Sequence, residues 1–299
     1  MNSFNKIRLI QSLKEKGDTP SMISNIINDY GSLEIANVGI SFSDNNNIQN
    51  LIQDYIISEE NDINSIIYLL LEGKSSLINS IQIFKTIIIC SFIQLISFIF
   101  LLYSRTFYTY KYFIISDILI IVPISFLISR TDINKKLNEH KLTGGLINPT
   151  TLVSLLFQLI IIFFFQILSI FLLNTKEWSK LSSENYNNTL IFYISNYQYL
   201  ITAISFSITY PFKRNIFSNT LLIVYLISGF SYFTYILFTQ DNFSLKLLNL
   251  IFFPSYIFRT TFIFVCFLNL ISSYLCESYL VPYIIYYYFN GNNEKSKIL

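Results

Sequence analysis

The chain has 299 residues, of which 53% are hydrophobic and 17% aromatic, while only 13% are charged and the formal net charge is +2. A soluble domain is roughly 45 to 50% apolar and about 25% charged, so this composition points to the membrane and offers no basic excess for nucleic acid. The three cysteines, Cys90, Cys266 and Cys276, lie in or beside apolar runs without a Cys-x-x-Cys pair, which argues against both a disulfide framework and a zinc site.

Residues 1–82 are mostly polar and show no amino-terminal signal peptide, so insertion is expected to be directed by the first span. Ile7 to Lys16 has helical periodicity ending at Gly17. Ile35 to Phe42 suits a short buried strand, the loop Asp44-Asn45-Asn46-Asn47 follows, and Asp62 to Leu71 is again helical. About 80 residues bury only a marginal core, so this region is expected to be a partial cytosolic domain of small α/β character, part of something larger.

Residues 83–299 are expected to form the transmembrane domain and a cytosolic carboxy-terminal tail. Crossing an apolar core of about 30 Å takes roughly 20 helical residues. Six runs qualify: Ile83 to Ser104, Tyr112 to Ser129, Thr151 to Asn174, Leu190 to Ser207, Asn219 to Phe238 and Thr260 to Cys276. Backbone polar groups must be satisfied internally in lipid, so uninterrupted runs of this length favour helices. The expected fold is mainly α, a six-span transmembrane helical bundle.

Lysine and arginine are retained on the cytosolic side of short loops. Arg130, Lys135, Lys136 and Lys141, with His140, follow the second run, and Lys213 and Arg214 follow the fourth. The opposite loops carry Arg105 and Lys111, then Lys176 and Lys180 beside Glu177 and Glu184, then Lys246 and Arg259 with Asp241, so the bias is modest. The sequons Asn187-Asn188-Thr189 and Asn242-Phe243-Ser244 both fall in loops that this rule places outside, making Asn187 and Asn242 candidate glycosylation sites. Both termini are therefore expected in the cytosol.

Asp117 is the only carboxylate well inside an apolar run. Burying such a charge costs about 2.5 to 3.5 kcal/mol on insertion scales, so contact with a cation in the bundle interior or a cavity is expected over snorkelling or pairing with Arg105 or Lys111. Pro123, six residues on, is expected to kink the helix beside it. Gln158, Gln166, Asn196, Gln198 and Asn269 suit hydrogen bonds between helices. The rows Phe163-Phe164-Phe165 and Tyr286-Tyr287-Tyr288 suit interface belts and lipid-facing bulk.

Ser24-Asn25-Ile26-Ile27-Asn28-Asp29, Gly31-Ser32-Leu33 and Ala36-Asn37-Val38-Gly39-Ile40-Ser41 follow one another as do Gly-Asp-Gly-x-Asn-Asp, Gly-Ala-Leu and Ala-Asp-Val-Gly-Ile-Ser, with Lys6 upstream. The matches continue in order through Glu72-Gly73-Lys74, Phe84-Lys85, Ser91-Phe92-Ile93-Gln94, Ser129-Arg130-Thr131, Asn185-Tyr186, Asn188-Thr189, Gln198-Tyr199-Leu200, Pro211-Phe212-Lys213 and Glu277-Ser278. On these residues most of the chain resembles the carboxy-terminal part of P-type ATPases of the fifth type, B branch, the pumps associated with polyamine export from lysosome-like compartments. The end of the phosphorylation domain and the last six transmembrane helices would be covered.

The resemblance implies a family that uses ATP and Mg²⁺, with Asp29, beside Asn25 and Asn28, at the magnesium motif and Lys6 at the aspartyl phosphate. Here Asn25 replaces the motif's first carboxylate, and Ser24 and Ile26 replace its glycines. A neutral amide is a poor Mg²⁺ ligand, so Asp29 and Lys6 are expected to be structural remnants. No Asp-Lys-Thr-Gly occurs, so the chain alone is not expected to hydrolyse ATP.

The resemblance also implies that Asp117 and Gln94 contact the amines of a polyamine or another cation. Cys90 stands where the family has a tyrosine of that site, and Tyr110-Lys111 replaces an outer acidic residue. The expected function is the transport-domain portion of an ATP-driven cation or polyamine pump in a lysosome-like, vacuolar or endoplasmic reticulum membrane. Its expected partners are the lipid bilayer, the cation and the missing amino-terminal pump portion. A truncated gene model, a split product and a decayed copy are all compatible origins. The alternative is a non-enzymatic six-span membrane protein, an accessory subunit or passive pore, derived from such a pump.

Overall fold

The computed structural model describes residues 2–24, 29–42, 56–58, 64–106, 110–131, 146–177, 183–207, 216–239, 242–285 and 287. Asn25, Asn28, the loop 44–47, Lys135, Lys136, His140, Lys141, Lys180, Asp241, Lys213 and Arg214 lie outside the described residues. The chain divides into two compact units, Met1–Leu70 and Leu71–Leu299.

In the first unit, helix α1 spans Ser3–Glu15 and is capped by Asn2, whose side chain accepts from the Ser3 N–H. It ends at Gly17, which has φ of 85°, with Gly17 N–H donating to Lys14 O and Asp18 N–H to Leu13 O. This paired closure needs a left-handed residue just past the helix, which is why the helix stops at the glycine. Strand β1 (Ser21–Ser24), helix α2 (Tyr30–Ile35), β2 (Val38–Phe42) and β3 (Ile56–Ser58) follow. The three strands are parallel in the order β1-β2-β3. Ile35 closes α2, so the expected strand from Ile35 begins three residues later, at Val38. Ile10, Leu33 and Ile40 are buried.

The helical stretch expected from Asp62 and the first span are one continuous helix, α3, of 40 residues from Asn64 to Tyr103, which enters the second unit at Leu71. At 1.5 Å per residue it is about 60 Å long, twice the apolar core of a bilayer. The next span comprises α4 (Tyr110–Ile114), a π-helical segment (Ile115–Ile121) and α5 (Val122–Ser129). Helices α6 (Pro149–Asn174), α7 (Ser183–Phe206), α8 (Thr220–Phe238), the short α9 (Asn242–Leu248) and α10 (Tyr256–Leu275) follow, and α10 continues as a π-helical segment, Cys276–Leu280.

Among the described residues five helical stretches are long and apolar enough to cross a membrane: Ile66–Tyr103, Tyr110–Ser129, Pro149–Asn174, Thr220–Phe238 and Tyr256–Ile285. The remaining expected span, fourth in chain order, is α7, which is long enough but less apolar, carrying Asn196, Gln198 and the four tyrosines Tyr186, Tyr193, Tyr197 and Tyr199. Its position explains the composition. Every residue from Thr189 to Ala203 is buried, and α7 packs against α6, α8 and α10. A helix enclosed by other helices presents no surface to lipid and can carry polar groups that bond its neighbours.

The three glutamines make those bonds, whereas Asn196 donates to Phe192 O and Asn269 accepts from Ser273 Oγ within their own helices. Gln166 Nε2 donates to Ser97 Oγ at 3.2 Å and to Gln198 Oε1 at 2.9 Å, joining α3, α6 and α7. Gln198 Nε2 donates to Ile162 O and Gln158 Nε2 to Ser273 O. Gly229 on α8 faces Leu200 of α7; a Cβ there would lie 3.1 Å from a Leu200 methyl.

Arg259, counted as an outer-loop charge, lies inside α10 and is buried. Its Nη1 donates to Phe238 O at the end of α8, and its guanidinium sits 4.5 Å from the centroid of Phe252. The charge satisfies a carbonyl that has no partner within its own helix.

Candidate functional site

Gln94 is on α3, in the half of that helix nearer Tyr103, and Asp117 is in the π-helical segment of the second span. The two side chains meet: Gln94 Nε2 donates to Asp117 Oδ1 at 2.5 Å. No cationic side chain reaches Asp117 among the described residues; Lys111 Nζ is directed to Leu247 O at 3.2 Å, and the described ion pairs involve other acids. The acid was expected in the bundle interior or a cavity. It lies instead on an exposed face of this chain, flanked by exposed Ile114, Ile118 and Leu119 and facing a helix whose Ser91, Leu95 and Phe98 are exposed too.

The wide turn around Asp117 has a local cause. Val122 N–H donates five residues back to Asp117 O, and the next residue, Pro123, has no N–H to give. The Leu119 carbonyl, four residues before Pro123, instead accepts from the Tyr225 hydroxyl of α8. The expected kink is thus a π-bulge whose exposed carbonyl is held by a neighbouring helix, a geometry frequent at functional sites.

Cys90 stands one turn from Gln94 on α3 but is buried and faces Thr202 of α7. The structure therefore brings Asp117 and Gln94 together and leaves Cys90 behind them, on the inner side.

In the first unit Asp29 and Lys6 also meet. Lys6 Nζ lies 2.7 Å from Asp29 Oδ2, and the same oxygen accepts from Ser24 Oγ at 2.7 Å. The hydrogen bonds from Lys6 and Ser24 hold the Asp29 carboxyl below the usual carboxylate range. Of the three residues at the magnesium motif only Asp29 is described. One Asp29 oxygen is already taken by an ammonium and a hydroxyl, and no cluster of three or more His, Cys, Asp or Glu that could hold a metal occurs among the described residues. Asn187 is half-buried within α7, and the hydroxyl of its sequon partner Thr189 is buried and accepts from Ile251 N–H. Asn242 begins α9.

One charged contact was legible only as a pair of separate sequence matches. Glu277 was placed just past the sixth span, yet the helix continues through it, and it is ion-paired to Lys85 of α3. Its other oxygen accepts from Ser154 Oγ of α6 at 2.7 Å. The available signal was that Lys85 and Glu277 lie near the ends of their apolar runs that must share one side of the membrane.

No family model matches the chain. The vacuolar cation-transporting ATPase YPK9 of Saccharomyces cerevisiae is 28% identical over 232 aligned positions, 75% of this chain and 16% of that protein. Polyamine-transporting ATPase 13A3 of Macaca fascicularis is 31% identical over 245 positions, 72% of this chain and 20% of the relative. Probable cation-transporting ATPase catp-6 of Caenorhabditis elegans is 25% identical over 303 positions, 98% of this chain and 24% of the relative. The chain thus spans between 16% and 24% of the length of these curated relatives. Apolar helices of membrane-spanning length and similarity across most of the chain together place it, as a multi-pass membrane segment, in the P-type ATPase family that includes the cation- and polyamine-transporting pumps.

Proposed function

We propose that the chain supplies part of the transport site of an ATP-driven cation or polyamine pump, with Asp117 and Gln94 as the groups that meet the cation. The observation that carries this reading is the exposed Asp117–Gln94 pair, which has no cationic partner among the described residues. An ionised carboxylate facing lipid is costly, so the face that bears it calls for a cover and a positive charge. An amine of a polyamine supplies the charge, and further helices of the pump supply the cover. In the wide turn, Asp117 accepts one hydrogen bond from Gln94 and keeps its other oxygen for an ammonium group.

Phosphoryl transfer is not assigned to these residues, because the sequence contains no Asp-Lys-Thr-Gly. ATP and Mg²⁺ belong to the pump as a whole. The Lys6–Asp29 pair is read as a structural contact that tethers α1 to the start of α2. An endomembrane location of the lysosomal or vacuolar kind, with both ends of the chain cytosolic, accords with the charge of the loops and with a vacuolar relative.

The test is Asp117→Asn in the pump that contains this sequence, reconstituted in vesicles. Spermine-stimulated ATP hydrolysis should fall by at least tenfold while the protein stays folded. Unchanged stimulation would reject Asp117 as the cation contact. Stable protein of this size alone that still passes cations without ATP would favour the passive-pore alternative.

A further inference from the structure

The bundle contains a second place where a carboxylate, a hydroxyl and an aromatic face converge. Glu277 meets Lys85 through one carboxylate oxygen and Ser154 Oγ through the other, the latter at 2.7 Å. The Lys85 ammonium also lies 4.3 Å from the centroid of the Phe206 ring, at the end of α7. The side chains of the pair are only 11% and 9% exposed. Four helices, α3, α6, α7 and α10, thus contribute one group each.

A carboxylate set beside the face of an aromatic ring is the chemistry that recognises an ammonium group, through charge, hydrogen bonding and the ring quadrupole. The backbone is shaped for it. Glu277 sits in the π-helical segment Cys276–Leu280, where Val281 N–H donates five residues back to Cys276 O, and Pro282 follows. Asp117 has the same setting, a π-helical segment that ends at Val122 immediately before Pro123. Asp117 and Glu277 are therefore both carried on a widened turn before a Val-Pro pair, a local geometry found often at functional sites.

We propose that Glu277, Ser154 and Phe206 form an ammonium-binding site, separate from Asp117, whose resident ligand is the chain's own Lys85. The two sites are distinct in space. Lys85 and Gln94 are nine residues apart on α3, about half a turn around the helix and about 13.5 Å along it. The site is closed to the cation of the Asp117 face as long as Lys85 fills it, and its tethered ammonium holds α3 against α6 and α10.

The experiment removes the resident ligand and offers a free one. Lys85→Ala keeps Cβ and leaves a slot for three carbons and an ammonium beside an unpaired carboxylate. In the full chain, purified in lipid nanodiscs, Tm should fall by about 10 °C, the scale for stranding one member of a buried ion pair. n-Propylammonium chloride should recover at least half of that loss. Sodium chloride at equal ionic strength and tetramethylammonium, which lacks N–H donors, should not. The Lys85→Ala/Glu277→Gln double variant should not respond to n-propylammonium. Failure of the primary amine to stabilise Lys85→Ala, or equal stabilisation of the double variant, overturns the proposal. Should Lys85→Ala not accumulate, the same amines are added during cell-free insertion into nanodiscs and the yield of monodisperse protein is read. An n-propylammonium yield no higher than the sodium yield likewise overturns it.

Discussion

Replacing Tyr225 by Phe removes one hydroxyl and keeps the ring, and the structure says what that hydroxyl does. Pro123 cannot donate to a carbonyl one turn back, and the Leu119 carbonyl is held by Tyr225 instead. Leu119 is 59% exposed on the face turned outward, where lipid offers no replacement donor. Hydrogen bonds between helices in a bilayer are worth about 0.6 kcal/mol on average and up to about 1.7 kcal/mol. With the proline N–H missing one turn on, Tyr225→Phe should sit near the upper figure. The control is Pro123→Ala, which restores the missing N–H and lets the helix satisfy its own carbonyl. In that background Tyr225→Phe should cost close to nothing, so a double-mutant cycle should return a coupling of about 1 to 1.5 kcal/mol. Reversible unfolding in mixed micelles measures all four proteins. The same penalty for Tyr225→Phe with and without Pro123 would refute the account of the π-bulge.

Two further outcomes follow from other parts of the molecule. Gly229→Val should destabilise the bundle by about 1 to 3 kcal/mol in the same unfolding assay, because its side chain would press into buried Leu200; a neutral result would mean that α7 and α8 are not closely apposed there. The Lys6–Asp29 contact should be sensitive to acid. Asp29 has its folded pKa depressed, so its stabilisation is present above the unfolded carboxyl value of about 3.9 and is lost as pH falls through the lower folded value. Asp29→Asn should therefore show slower-exchanging amides lost from α1 and α2 at neutral pH, and should converge with the unaltered protein once acid has protonated the Asp29 carboxyl. Equal protection at pH of about 7 would show that the pair does not stabilise the unit.

Most of the helix inventory was legible in the order of residues. Lipid demands long apolar runs, and Gly17 demands a left-handed turn, so both leave marks that survive without a partner element. Asp117 stood out for the same reason: a carboxylate in an apolar run is conspicuous wherever the helix turns. What the residues could not convey by themselves was direction and company. Whether Asp117 looks inward or outward depends on which faces α3 and the π-helical segment give to their neighbours, and one extra residue in a turn rotates a side chain by a large fraction of the helix circumference. Lys85 and Glu277 lie 192 residues apart and find each other only because α3 and α10 share one end of the bundle. Arg259 read as a loop charge until α10 enclosed it, and the polar residues of α7 gained a role only once its neighbours surrounded it. Composition is set against the solvent and is therefore local, whereas the pairing of buried charges is set by packing and belongs to the tertiary structure alone.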